Sequence, residues 1–164
     1  MLPKRKSTAI PHYDYSQPGA YFITLCVEKR RPILGKIDSS PQVVLSSIGK
    51  IVSDVWYSLP QRFPCLDAIS QSIFVVVPDH IHGILQITAG GGGPPPPPPT
   101  LHQILGSFKS ITTIETNRLL GTPGQKLWQR SAYEHILRNQ QDFDEAAGYI
   151  AENPARRLER EEFE

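Results

Sequence analysis

The sequence predicts an α+β fold, a ferredoxin-like antiparallel sheet with helices on one face plus a C-terminal helix that carries Tyr149. The main observation is the order of the predicted elements, which is strand, helix, strand, strand, helix, strand. The second is the length of 164 residues, which suits one domain with a substantial core. We therefore treat residues 1–164 as a single domain.

The first half of the chain supplies two strands with a helix between them. Residues 21–27 are β-branched and aromatic, and they predict a strand that ends at the Lys-Arg-Arg-Pro turn of residues 29–32. Apolar residues at helical spacing predict a helix over residues 42–59, which Pro60 stops. A second strand is predicted over residues 68–77.

The second half repeats the order of strand, helix and strand. The Pro-Asp pair at 78–79 predicts a tight turn, after which residues 80–88 return as a third strand. An apolar stripe predicts a helix over residues 100–120, closed by Gly121. A short fourth strand is predicted within residues 126–136.

The C-terminal helix is predicted to begin at Gln140 or Gln141 and to reach about Asn153, where Pro154 interrupts it. Acidic residues in its early turns suit the positive end of the helix dipole. Residues 152–164 form a charged tail with three Arg and five Glu.

Residues 89–100 differ from the rest of the chain in composition, with a run of glycines followed by six prolines. Such a run has no apolar side chains with which to build a core, so we predict a surface loop of variable length inserted into the domain. A Pro-rich ligand for a partner protein is the alternative.

The composition favours a soluble, cytoplasmic protein without a membrane segment. No run approaches the ~18 apolar residues of a membrane helix, and no apolar stretch follows the basic N-terminus as in a secretory signal. Cys26 and Cys65 are isolated and predict buried thiols in a reducing compartment. The net charge of +1 does not by itself indicate a nucleic-acid partner.

His80 and His82 open the third predicted strand. Residues i and i+2 of a strand point to one face, so the two imidazoles can converge on one metal ion. Alone, the His-x-His pattern is weak, and an ordinary pair of strand residues is the alternative. Cys26 and Cys65 lack the spacing of a structural zinc site.

Tyr149 and Asn153 lie four residues apart on the C-terminal helix, so the phenol and the carboxamide share one face. The small neighbours Ala147 and Gly148 leave space around the ring. The alternative is that Tyr149 belongs to the buried stripe of the helix and Asn153 is an ordinary C-terminal residue.

Several motifs in order and at similar spacing resemble the REP-associated tyrosine transposases, which are relatives of the insertion-sequence-200-like transposases in the HUH single-strand endonuclease superfamily. The resemblance covers nearly the whole chain. Its motifs are residues 13–24, the segment Val-Pro-Asp-His-Ile-His-Gly-Ile at 77–84, Leu-Trp-Gln-Arg at 127–130, residues 133–139, Tyr149-Ile150 and Asn153-Pro154.

The resemblance implies roles for four residues. Tyr149 would be the nucleophile, and His80, His82 and Asn153 would hold Mg²⁺ or Mn²⁺. The implied activity is cleavage and rejoining of single-stranded DNA near hairpins through a 5′-phosphotyrosine intermediate. A hairpin-DNA-binding protein that no longer transposes is the competing class, and a replication or conjugation nuclease of the superfamily fits the motif order less well.

The implied partner is single-stranded or hairpin DNA. Basic side chains are the expected contacts to its phosphates and Trp128 is a stacking platform for a base, with a surface or core position as the alternative for each. The candidate contacts are Lys4, Arg5, Lys6, Arg30, Arg31, Lys109, Trp128, Arg130 and Arg138. Related proteins include monomers and homodimers that exchange the tyrosine helix, and the sequence leaves both open.

Overall fold

The structure, a computed structural model, describes residues 19–39, 42–88 and 99–163, with side chains as far as Glu152. Four strands form one antiparallel sheet in the order β4-β5-β1-β6, and β2 pairs with β3 in a small second sheet. The elements are β1 (Gly19–Cys26), β2 (Gly35–Ile37), β3 (Val43–Leu45), α1 (Ser47–Arg62), β4 (Phe74–Val77), β5 (His80–Ile87), α2 (Leu101–Leu120), β6 (Tyr133–Leu137) and α3 (Gln140–Phe163). The predicted ferredoxin-like α+β arrangement is confirmed.

The main sheet is covered on both faces. One face packs against α1 and α2, and the large core there includes Ile23 of β1, Trp56 of α1 and Phe108 of α2. The other face packs against α3 through a smaller cluster that includes Phe22 and Ile150. The two helices between strands therefore share one face, as expected, and the helix that carries Tyr149 lies on the opposite one.

Helix α1 begins later and ends later than the sequence indicates. Residues Val43–Leu45, which belonged to the predicted helix, form β3 instead, because they pair with β2. Ser46 then caps α1 by accepting a hydrogen bond from the Gly49 amide. Pro60 does not stop the helix, because the Trp56 carbonyl, which an amide at position 60 would have reached, accepts instead from Nε2 of Gln71 at 2.8 Å.

Two further boundaries differ from the sequence prediction. The second strand is only Phe74–Val77, because residues 70–72 form a 3₁₀ turn before it. Helix α3 does not end at Asn153 but continues through Pro154 to Phe163. A proline inside a helix removes a single hydrogen bond, and the flanking turns keep theirs.

Helix α2 and the thiols agree with the sequence. Thr100 and Gln103 form a reciprocal capping box at the start of α2, and Gly121 ends it in the left-handed conformation with φ 66°. Both cysteines are buried thiols, as predicted. Among the described residues, no helix combines the length and apolar content that crossing a bilayer requires. Residues 89–98 of the predicted glycine-proline loop lie outside the described residues.

Gly83, on β5, allows a close approach between the sheet and α1. A Cβ atom at this position would lie 2.4 Å from Cζ2 of Trp56 and 2.6 Å from Cη2. Trp56 is fully buried, and its indole Nε1 donates to the Gln71 carbonyl at 2.9 Å. Glycine next to His82 is therefore required for packing on the face opposite to the imidazoles.

Candidate metal and tyrosine site

The side chains of His80 and His82 converge on the face of β5 that α3 covers. Their Nε2 atoms lie 3.0 Å apart, and the two rings are inclined at 77°. Both residues are buried, with exposed fractions of 6% and 1%. The strand periodicity therefore produces the predicted convergence of the two imidazoles.

Asp79 holds His80 from the outer side of the ring. Its Oδ1 lies 2.6 Å from Nδ1 of His80, and its Oδ2 accepts from Nε of Arg30 at 3.1 Å. A second nitrogen of Arg30, Nη2, also lies 3.1 Å from Oδ2. Since an ionised carboxylate only accepts hydrogen bonds, the His80 proton is placed on Nδ1, which leaves a lone pair on Nε2.

Thr24 holds His82 in the corresponding way. It lies on β1 directly opposite His82, and its Oγ1 is 2.7 Å from Nδ1 of that ring. A hydroxyl can either donate or accept. When it accepts from Nδ1, His82 also presents a lone pair on Nε2; when it donates, Nε2 of His82 carries the proton and donates to His80.

The environment keeps His82 neutral. Burial lowers the pKa of this imidazole well below its usual value, and the neighbouring His80 and Arg30 lower it further, against the opposing effect of Asp79. A neutral imidazole has the free nitrogen lone pair that metal ligation needs.

Tyr149 reaches this pair from α3. Its ring centroid lies 5.3 Å from that of His82 and 5.9 Å from that of Phe22, with edge-to-face angles of 74° and 72°. Tyr149 is partly exposed, whereas Ile150 beside it is buried in the small cluster. The ring thus borders the two histidines with part of its surface open, and it also packs against the core, so both interpretations of this residue from the sequence have a counterpart in the structure.

The spacing of the two imidazole nitrogens fits two ligands of one divalent cation. Two cis ligands at the ~2.1 Å distance of an octahedral ion lie about 3.0 Å apart, which matches the separation of the two Nε2 atoms. Within the described residues, no group of three or more His, Cys, Asp or Glu could hold a metal. Asn153, the third ligand implied by the resemblance, lies in α3, and its side chain is outside the described residues.

The basic residues named from the sequence are distributed over different environments. Arg30 is tied to Asp79, with 44% of its side chain exposed. Arg31, Arg130 and Arg138 are exposed, and Lys109 is half-buried. Lys4, Arg5 and Lys6 lie outside the described residues.

Trp128 is not placed as a stacking platform. Its side chain is 4% exposed and belongs to the large core, where Nε1 donates to Oγ1 of Thr112 at 2.8 Å. The sequence prediction of a base contact is wrong for this conformation, because the indole fills the space under β1 and α2. The core alternative for Trp128 is the correct one.

Sequence reasoning missed two residues of the site, Asp79 and Thr24. Asp79 was interpreted only as part of a turn, although an acidic residue beside a candidate ligand histidine is a recognisable signal. Thr24 carries no local signal, because its contact with His82 depends on the register between β1 and β5.

Comparison with known proteins places the fold among transposases. The chain resembles a REP-associated tyrosine transposase solved bound to a REP hairpin, with TM-score 0.57 and 18% identity over 92% of this chain and 74% of that one. It also resembles a candidate transposase from Deinococcus radiodurans R1, with TM-score 0.52 and 13% identity over 90% and 95% of the two chains. The resemblance predicted from the motifs is confirmed at the level of the fold.

Sequence comparison gives one curated relative, an uncharacterized protein of Haemophilus influenzae. It is 29% identical over an alignment of 164 residues, which covers 92% of this chain and 88% of the relative. No protein-family model matches the chain.

Proposed function

We propose that this protein is a metal-dependent tyrosine transposase of the HUH type, which cleaves and rejoins single-stranded DNA near hairpins. The observation that carries the proposal is the convergence of the two Nε2 atoms at 3.0 Å with the Tyr149 ring beside them. The fold shared with a hairpin-bound tyrosine transposase supports it. Single-stranded or hairpin DNA is the proposed partner.

His80 and His82 would hold the ion, with Asn153 as the third protein ligand. Mg²⁺ or Mn²⁺ bound there would stabilise the negative charge that develops on the scissile phosphate. These ligands are neutral, so the site should bind Mg²⁺ weakly until phosphate oxygens complete it, and imidazole nitrogen favours Mn²⁺. Asp79 and Thr24 would keep the two rings oriented while DNA enters.

Tyr149 would attack the scissile phosphorus with its phenolic oxygen. A bond forms between that oxygen and phosphorus, and the bond from phosphorus to the 3′ oxygen breaks. The strand is left as a 5′-phosphotyrosine and a free 3′-hydroxyl; the phenol gives its proton to water and the leaving oxygen takes one up. The reverse attack by a 3′-hydroxyl rejoins strands without ATP.

The test is adduct formation with Mn²⁺ and a single-stranded DNA hairpin drawn from the sequence flanking the gene. We expect a covalent adduct that survives denaturation, and its loss in Tyr149→Phe and in His80→Ala. Tyr149→Phe keeps the ring that packs against Phe22 and His82, so its fold should be unchanged.

Binding of the hairpin without any adduct would overturn the proposed chemistry and favour a DNA-binding protein that no longer transposes. An adduct that persists in Tyr149→Phe would assign the nucleophile to another residue. Size measurements with and without DNA would decide between a monomer and the proposed alternative of a homodimer.

A further inference from the structure

We infer that a basic surface beside the metal site binds the phosphodiester backbone of the DNA strand. This inference rests on the proposed function. The basic surface is formed by two segments, residues 28–31 and 126–130, together with one residue of α2. Its five cationic side chains are Lys29, Arg31, Lys109, Lys126 and Arg130.

Main-chain hydrogen bonds hold the two segments together. The Glu28 amide donates to the Leu127 carbonyl at 2.8 Å, and the Gln129 amide donates to the Cys26 carbonyl at 2.8 Å. Between these bonds, Val27 and Trp128 form an isolated β-bridge. The buried Trp128 ring anchors the second segment from below, so the basic side chains around it project from a fixed backbone.

The cations of the surface bond to carbonyl oxygens of the same segments. Nη2 of Arg31 donates to the Lys126 carbonyl at 3.3 Å, and Nζ of Lys109 donates to the Arg130 carbonyl at 3.0 Å. In the part of the chain that the structure describes, no ion pair joins any of the five to a carboxylate. The nearby acidic residues are Glu28 in the turn and Glu134, which pairs with His102.

The positive charges are close enough to affect one another. Burial lowers the pKa of Lys109, and the charge of Lys126 lowers it further, while Glu134 opposes both. Positive potential at this position is therefore only partly compensated within the protein. A DNA phosphate would supply the missing negative charge.

The turn itself is strained in a way that presents its cations. Lys29 and Arg30 both have positive φ, 59° and 54°, although neither is glycine. Such conformations are uncommon for residues other than glycine and are concentrated at functional sites. In this turn Arg30 pairs with Asp79, while Lys29 and Arg31 are exposed.

The basic surface is continuous with the metal site. Arg30 pairs with Asp79, which contacts His80, and the Val27 amide donates to the Asp79 carbonyl at 2.9 Å. Cys26, whose carbonyl accepts from Gln129, lies opposite His80 across the β1–β5 pair. Under this inference, a strand whose scissile phosphate lies at the histidines continues over this surface.

The test measures equilibrium binding of a fluorescent single-stranded DNA hairpin in EDTA, at salt concentrations from 50 to 200 mM. The variants are Lys126→Gln, Arg31→Gln and the double variant, all in full-length protein. Lys126→Gln keeps the main-chain carbonyl that Arg31 uses, so it removes charge without removing that contact. Arg62→Gln is the matched control. Arg62 is the last residue of α1, and Leu66, four residues later, pairs with Ile87, at the opposite end of β5 from His80.

Each lost phosphate contact should reduce the slope of log K against log salt by about 0.7 for single-stranded DNA. Over a fourfold increase in salt, the affinity of a variant that lacks one contact should fall about 2.6-fold less than that of the wild type. For the double variant, the affinity should fall about sevenfold less. Arg62→Gln should behave as the wild type. Melting temperatures establish that each variant is folded.

Unchanged affinity and slope in folded Lys126→Gln and in the double variant would overturn the inference. An equal loss in Arg62→Gln would also overturn it, because the effect would then reflect net charge alone. These outcomes are independent of the adduct assay: wild-type protein can form the adduct whether or not this surface binds the strand. An absent wild-type adduct would count against the proposed function alone.

Discussion

Asp79 accepts a hydrogen bond from its chain neighbour His80, with 2.6 Å between Oδ1 and Nδ1. Asp79 is buried, with 6% of the residue exposed, and Arg30 holds its other carboxylate oxygen. A buried carboxylate in this position fixes the ring orientation and makes the opposite nitrogen a better metal ligand. We therefore expect Asp79 to act as a positioning residue for the proposed metal site.

Asp79→Asn should lower Mn²⁺ affinity about 10- to 100-fold, because the neutral amide polarises the His80 ring less and loses its ion pair with Arg30. The measurement is Mn²⁺ titration followed by electron paramagnetic resonance, without DNA. Asp67→Asn, the same change away from the histidines, is the control. Equal Mn²⁺ affinity in folded Asp79→Asn and wild type would remove Asp79 from this role.

Thr24→Val should lower Mn²⁺ affinity roughly tenfold, because the shape is kept while Nδ1 of His82 loses its partner. Thr24→Ser should restore binding, since it returns the hydroxyl. The same titration checks both variants. If valine and serine behave alike, the methyl group rather than the hydroxyl matters at this position.

Gly83→Ala should destabilise the protein by about 1–3 kcal/mol, because the added Cβ overlaps the buried Trp56 ring. Urea unfolding at neutral pH measures the free energy of unfolding. Gly148→Ala is the matched comparison: nothing lies within 4 Å of a Cβ there, and the position is helical. It should stabilise the helix by about 0.5–1 kcal/mol. Destabilisation of equal size in both variants would contradict the packing argument.

Asp67 should make stability depend on pH in the acidic range. The Ser70 amide and hydroxyl both donate to its carboxylate, and these bonds lower the pKa of Asp67. A folded-state pKa below the unfolded value of ~3.9 means that the stabilisation is present above pH ~3.9. It is then lost as the pH falls through the lowered folded-state pKa.

Asp67→Asn should therefore lower the free energy of unfolding by roughly 0.5–1 kcal/mol at pH 7. The effect is small because the carboxylate is accessible to solvent. The difference from wild type should shrink at acidic pH, below the folded-state pKa of Asp67. Urea unfolding at several pH values gives both numbers. A difference that stays constant with pH would show that the carboxylate charge is not the cause.

The sequence predicted the main sheet and the histidine pair because both follow from local periodicity. Alternation along β5 places His80 and His82 on one face, and the helical stripe of 100–120 is closed by Gly121. The proximity of Tyr149 to His82 was foreseen from the order of the motifs. These features can be predicted from neighbouring residues or from the resemblance of the whole motif pattern.

The missed features depend on contacts between distant segments. Residues Val43–Leu45 became a strand because β2 lies beside them, which outweighs their helical spacing. Trp128 is buried because α2 packs against it. Thr24 contacts His82 because of the register between β1 and β5, which the sequence of one strand cannot specify. Local propensity is a weak guide wherever pairing with a distant segment determines the secondary structure.

The two hydrophobic clusters on opposite faces of the sheet share no residue. The larger holds the sheet to α1 and α2, while α3 is retained by the few apolar side chains around Phe22 and Ile150. We expect α3 to be a separate cooperative unit, whose amides exchange with solvent at a lower free energy than those of β1. In the proposed function, Tyr149 and the two histidines would then belong to parts of different local stability, so that the tyrosine and a strand bound to it could move away from the histidines without unfolding the domain.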